Sequence, residues 1–207
     1  MTGNPRQLAL RYGVAATALS PRYNVAPTQD VPALVRPGEL VMLRWGLVPA
    51  WAKDLSIGNR LLNARAETLE RRSAFREALR TRRCLILADG FYEWMKEDHR
   101  RRPFFLRLKG GAPFAFAGLW DEWRGIGSCT IVTTDANAVV APIHDRMPVI
   151  ARPELEARWL DPSVHDSADL VEVLEPFPSH LMETWEVSSL VNNPDHEEPG
   201  CIETLHA

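Results

Sequence analysis

Lysine is scarce in this chain: Lys53, Lys96 and Lys109 are the only lysines among 24 cationic side chains, and the rest are arginine. Cysteine is scarce too. Cys84, Cys129 and Cys201 are odd in number, far apart and without CxxC or CxxH spacing, which argues against a disulfide framework or a zinc site. Cys84 lies in an apolar run and Cys129 borders one, so buried, inert thiols are expected. No apolar run approaches the ~20 residues of a membrane span, and the N-terminus lacks the basic-then-apolar order of a signal peptide. A soluble, cytoplasmic protein is expected. A phosphate-cradling glycine loop and the Walker, Rossmann and GxSxG signatures are also missing, so no cofactor and no metal is implied.

What is present is a 207-residue chain, 45% apolar, long enough to bury one substantial core. Its formal charge of −3 hides an asymmetry. Residues 154–207 hold 13 acidic side chains and one basic one, leaving 23 basic and 14 acidic in residues 1–153, a net +9. The first three-quarters would attract a polyanion; the acidic quarter would repel one unless it packs away from the site. Arginine suits bidentate phosphate contacts and stacking on bases. A GC-rich genome would produce the same bias.

With no repeat, low-complexity tract or long linker, residues 1–207 read as one domain. Asn4 and Pro5 look like the N-cap and first residue of a helix that stops at Gly13. Pro21 to Pro37 is extended and broken by proline. A strand is expected at Leu40–Leu43 and a helix over Thr68–Arg83, where Leu69, Phe75 and Leu79 are apolar among Arg and Glu. Strands are expected at Cys84–Ala88, Pro103–Leu108, Pro113–Leu119, Cys129–Thr134 and Met147–Ala151, with Gly110-Gly111 turning a tight hairpin. Helices are expected at Pro153–Leu160, Ala168–Leu174 and Ser179–Thr184. Strands without regularly interleaved helices point to a mainly antiparallel α+β architecture.

Three polar stretches interrupt this apolar background: Asn63–Thr68, Gly90–Trp94 and His144–Pro148. Histidine as a residue type titrates near neutral pH, which suits His144 to proton transfer, and Arg146, two residues on in an extended segment, would project to the same side as an anion clamp. A histidine that only hydrogen-bonds its own loop fits the sequence as well. Glu93, between Tyr92 and Trp94, would be partly desolvated, which raises a carboxyl pKa toward use as an acid; a solvated or salt-bridged strand-end glutamate is the alternative. Asn63 and Arg65 form another i, i+2 pair, able to orient a substrate and hold a phosphate, or simply to turn the chain and decorate the surface. Of Trp45, Trp51, Trp94, Trp120 and Trp123, most should be core. Trp51, beside Lys53 in a Pro-bounded loop, is the one expected to face nucleic acid.

Five segments in this order resemble the SOS-response-associated peptidase family, whose members are abasic-site processing proteins: Arg22-Tyr23-Asn24-Val25-Ala26-Pro27, Arg44-Trp45-Gly46-Leu47-Val48-Pro49, Asn63–Thr68, Ala88–Trp94 and His144–Pro148. The ending Val191-Asn192-Asn193 and Cys201-Ile202-Glu203 also fits. The resemblance implies a barrel-like core of antiparallel sheets with peripheral helices. It also implies a monomeric sensor of abasic sites in single-stranded DNA, acting in DNA damage and the SOS response. Family members use an N-terminal cysteine, exposed on removal of the initiator Met, whose α-amine forms a Schiff base with the opened sugar and whose thiol closes a thiazolidine crosslink. An α-amine, with a reference pKa of ~8, keeps a nucleophilic fraction at pH 7. On this sequence the resemblance places Asn63, Glu93 and His144 in the chemistry, and Arg65, Arg146 and Asn24 around the DNA.

The family begins Met-Cys-Gly-Arg followed by a short strand, whereas this chain begins Met1-Thr2-Gly3-Asn4 and runs into its first helix. The expectation is that a short N-terminal stretch is lacking and that the complete protein crosslinks. Two other readings stay open: a non-covalent single-stranded DNA binder, and an amine-only lyase working through a Schiff base. The family's peptidase, or hydrolase, label fits self-removal of the initiator Met better than proteolysis of other proteins, since no serine or cysteine nucleophile sits in a recognisable setting.

Overall fold

A computed structural model of the chain describes residues 5–98 and 100–205. Five strands close on themselves: β1 (Asp30–Arg36), β2 (Glu39–Trp45), β4 (Arg83–Ala88), β7 (Phe114–Trp123) and β8 (Ile126–Asp135) run in the order β2-β1-β4-β7-β8 through antiparallel ladders. The ring is completed by a parallel pairing of β2 with β8 at Arg44↔Ser128 and Trp45↔Cys129. Closure leaves no unpaired edge between these strands.

β8 is long enough to serve two neighbours on each side. Past β2, one edge pairs in parallel with β3 (Asn63–Arg65); past β7, the other pairs antiparallel with β9 (Arg146–Pro148). The far end of one strand therefore gathers two of the three polar stretches. The third lies on β5 (Phe91–Glu97), which with β6 (Arg100–Leu108) and β10 (Met182–Glu186) forms a separate antiparallel sheet in the order β10-β6-β5.

Alternation along β4 divides the core. Leu85 and Leu87 join Phe75, Leu155 and Trp159 from the helices α2 (Ser73–Thr81) and α3 (Pro153–Leu160), together with Leu8 of α1 (Pro5–Tyr12). Cys84, Ile86 and Ala88 point the other way, to Phe116, Ile131 and Met147. Arg83 locks the helical layer. Its buried guanidinium donates to Leu79 O (2.6 Å), Arg80 O (3.3 Å), Trp159 O (2.6 Å) and Asp161 O, carbonyls at the C-terminal ends of α2 and α3 that lack helical partners.

The antiparallel α+β architecture, the barrel-like core and α1 agree with the sequence, and α3 has the expected bounds; Asn4 lies outside the described residues. The second expected helix is shorter. Ala66–Thr68 is a 3-10 turn, α2 spans only Ser73–Thr81, and Arg83 belongs to β4, opposite Leu119. Residues 182–184 are strand rather than helix, because β6 has an edge to fill and β10 lays Met182, Thr184 and Glu186 along it. Ala168–Leu174 lies within a 3-10 segment, Ser167–Leu174. Gly110-Gly111 is not a hairpin between paired strands: both glycines have φ near +70° to +76°, and they carry the chain from one sheet into the other. The last strand of the middle third starts at Arg146, earlier than expected, and ends at Pro148.

Among the described residues, six of the thirteen acidic side chains of the acidic quarter pair with arginine, including Glu156–Arg11, Glu183–Arg107, Glu186–Arg102 and Glu197–Arg22. This quarter does not all pack away from the three polar stretches, however: Val191, Asn192 and Pro194 reach the main cleft. Among the described residues, no helix is long and apolar enough to cross a membrane.

Candidate functional site: a basic cleft at the end of β8

The small sheet and the end of the barrel enclose a cleft of about 1190 Å³, lined by Asn24, Asn63, Arg65, Glu93, His144 and Arg146 together with Trp45, Trp94, Thr133 and Asn192. Six of the seven expected site residues thus share one cavity. The i, i+2 geometry of β3 holds: Ala64 between them is fully buried, while Asn63 and Arg65 are exposed to the cleft. Neither side chain has a hydrogen-bonding or ion-pair partner among the described residues, which leaves an amide and a guanidinium available to a ligand.

Glu93 reaches the cleft because the chain passes directly over an aromatic ring. A Cβ on Gly90 would lie 2.1 Å from Cζ of Phe105, so only glycine fits there. Tyr92, also in the cleft wall, donates from its hydroxyl to Tyr23 O (2.6 Å). Burial raises the Glu93 pKa above its ordinary value of 4.5; nearby His144 and the Trp94 backbone N–H pull it down, and Asp145 pushes it up. The influence of His144 on Glu93 places a carboxyl group and an imidazole in the same small volume.

His144 is held by its own backbone. The Arg146 N–H donates to His144 Nδ1 (3.0 Å), so the neutral ring carries its proton on Nε2. When Nδ1 takes a proton, Asp145 Oδ1 and Arg146 O, each at 3.2 Å, are there to accept it.

Three side chains behave differently from their sequence-level expectation. Trp51 is 59% exposed and lies outside the cleft wall. Its loop is anchored at the opposite end of β8 by Val48 N to Ser128 Oγ (2.8 Å) and by Trp123 Nε1 to Ala52 O (2.7 Å). Trp45 and Trp94 border the cleft instead; Trp94 donates through Nε1 to Asn192 Oδ1 (2.7 Å). Asn24 lines the cleft, but its amide is spent on Val191 O (3.2 Å) and Asn193 O (3.0 Å), tying the first loop to the C-terminal segment. Arg146 is no free anion clamp: both terminal nitrogens bind Glu67, one also binds Asp135 and the other Thr133 O.

Three further arginines in the cleft wall, Arg22, Arg72 and Arg101, were given no site role from sequence. Nothing in their local spacing distinguishes them from the other surface arginines. The three thiols are buried, and burial raises the pKa of each, so none is a nucleophile.

A family model described as SOS response associated peptidase (SRAP) matches residues 1–194. The chain is 45% identical over 193 residues to Abasic site processing protein YoqW of Bacillus subtilis (strain 168), covering 89% of this chain and 86% of that protein. It is 26% identical over 224 residues to Abasic site processing protein HMCES of Xenopus tropicalis, covering 89% of this chain and 66% of the other. A crystal structure of a protein from Bacteroides thetaiotaomicron superposes with a TM-score of 0.90 at 27% identity, covering 100% of this chain and 98% of that one.

Proposed function

The chain belongs to the SOS response associated peptidase family, and on that premise we propose that it processes abasic sites in single-stranded DNA, with the opened sugar held in the cleft between Asn63, Glu93 and His144. The observation that carries this reading is the convergence of an unpartnered amide, a desolvated carboxyl group and a two-state imidazole in one cavity, with unpaired Arg65 at its edge.

In the proposed chemistry an N-terminal α-amine attacks the sugar aldehyde carbon. The carbinolamine then loses water to give an imine, with the departing hydroxyl protonated by an acid. Glu93, kept protonated to a higher pH by burial, supplies that proton, and His144 relays protons through Nε2. Asn63 hydrogen-bonds the reacting groups. Where a thiol stands beside the amine, its sulfur adds to the imine carbon and its proton passes to nitrogen, closing a thiazolidine. The imine is common to both outcomes and is the step to test directly.

Incubation of the chain with abasic single-stranded DNA and borohydride is expected to trap a covalent protein–DNA species, absent with undamaged DNA. A variant with Cys-Gly-Arg inserted after Met1 is expected to give a heat-stable adduct without reductant. If neither species forms, the covalent reading fails and the non-covalent binder is left. Under either reading, Arg65→Glu is expected to weaken single-stranded DNA binding by roughly tenfold and to reduce the slope of log affinity against log salt by about one, as loss of one phosphate contact requires. Filter binding at several salt concentrations measures both.

A further inference from the structure

Arg146 has a guanidinium whose four terminal N–H groups are all taken. Nη1 donates to Glu67 Oε1 (2.8 Å) and Asp135 Oδ1 (2.7 Å); Nη2 donates to Glu67 Oε2 (3.1 Å) and Thr133 O (2.7 Å). Its side chain is 17% exposed. A DNA phosphate would have to displace a bidentate carboxylate, the strongest geometry available to an arginine. With Glu67 and Asp135 the group carries a net charge of −1, a poor start for anion capture.

The same contacts have a different mechanical consequence. Glu67 lies in the turn directly after β3, the strand of Asn63, whereas Arg146 begins β9, just after His144. β3 and β9 sit on opposite edges of β8. The Glu67–Arg146–Asp135 group therefore spans the end of β8 and fixes the Asn63 strand relative to the His144 loop. The Arg146 backbone N–H, held by this anchorage, is also the donor that sets the His144 tautomer.

We propose that Glu67, with Asp135, is a positioning residue for His144, acting through Arg146 and not through contact with DNA. This rests on the functional reading above for its activity consequence, though not for its structural one. Glu67→Gln keeps the side-chain length but removes the charge and one of the paired acceptors. It is expected to slow imine formation at saturating abasic DNA by about tenfold to a hundredfold, the usual loss when a reacting group is misplaced by a fraction of its reach. Affinity for undamaged single-stranded DNA should stay unchanged.

In the DNA-free full chain, the ¹⁵N shifts of the His144 ring should report the Nε2–H form in the parent and a mixture of tautomers in Glu67→Gln. Asp135→Asn should move both readouts the same way, and thermal melts confirm that each variant folds. The opposite pattern would overturn the proposal: tighter binding of undamaged DNA, a salt slope larger by about one, and an unaltered His144 spectrum, as expected if Glu67 merely screens a phosphate-binding Arg146. If the parent forms no imine at all, the functional reading fails, while the ring spectra still decide the positioning role.

Discussion

Replacing Glu93 with glutamine is expected to suppress imine formation at pH 7 by about a hundredfold or more, in the range for loss of a general acid–base group, while making the protein more stable. The two effects have one cause. Burial raises the Glu93 pKa above 4.5, so the ionised carboxylate is less favourable in the folded protein than in the unfolded chain. For a group with a raised folded-state pKa, its contribution to stability is fully present below the unfolded value and is lost as pH rises through the folded one. Glutamine resembles the protonated form at every pH. The variant should therefore match the parent below about pH 4.5 and exceed it increasingly at higher pH, until Glu93 is fully ionised. Denaturant titrations across pH 4 to 8, together with single-turnover trapping, measure both effects. A variant that loses stability at pH 7 would show that Glu93 is a structural ion-pair partner, and unchanged trapping would remove it from the chemistry.

Trp159→Ala is expected to be the most damaging single truncation in the helical layer. The indole is 0% exposed, donates from Nε1 to Cys84 O (2.9 Å) and lies against Arg83, whose guanidinium carbon is 5.9 Å from the ring. Removing it empties a cavity between α3 and β4 and deletes the indole's hydrogen bond to the Cys84 carbonyl. A large buried aromatic replaced by alanine costs about 3–5 kcal/mol. For a chain of this size that corresponds to a fall in Tm of roughly 10 °C, readable by calorimetry or circular dichroism. The cleft lies on the other side of the barrel wall, so the folded fraction at low temperature should still trap abasic DNA. Loss of less than about 1 kcal/mol would mean that the layer collapses around the gap.

Several elements were legible from local chemistry. Pro5 at a first helical turn, Gly13 after the last, and the short apolar runs in β4 and β8 each identified their element because the signal lies within a few residues. The same holds for Asn63 and Arg65. Period-two geometry in a strand sends them to one side whatever the rest of the chain does, and the cleft lies on that side. Gly90 shows in the sequence only as the start of a polar stretch, whereas its actual constraint is the ring of Phe105, fifteen positions on and fixed by the β5–β6 register.

Other features depended on partners far away in sequence. Residues 182–184 have a pattern compatible with a helical turn, but the free edge of β6 offers them a ladder, and Glu183 and Glu186 meet Arg107 and Arg102 across it. Trp51 sits in a loop as expected. Which end of β8 that loop attaches to is decided by Ser128 and Trp123, more than seventy residues later. Arg146 looked like an anion clamp because its spacing from His144 was correct, and it is occupied because Glu67, 79 residues earlier, reaches it first.

The sequence alone therefore determined the architecture, the family and six of the side chains that meet in the cleft, since those follow from periodicity, turn residues and motifs read over short spans. Tertiary structure alone decided which of those side chains are free to act and which are already engaged. That distinction rests on charge pairing and desolvation, and both depend on distances the chain acquires only when strands remote in sequence are brought side by side.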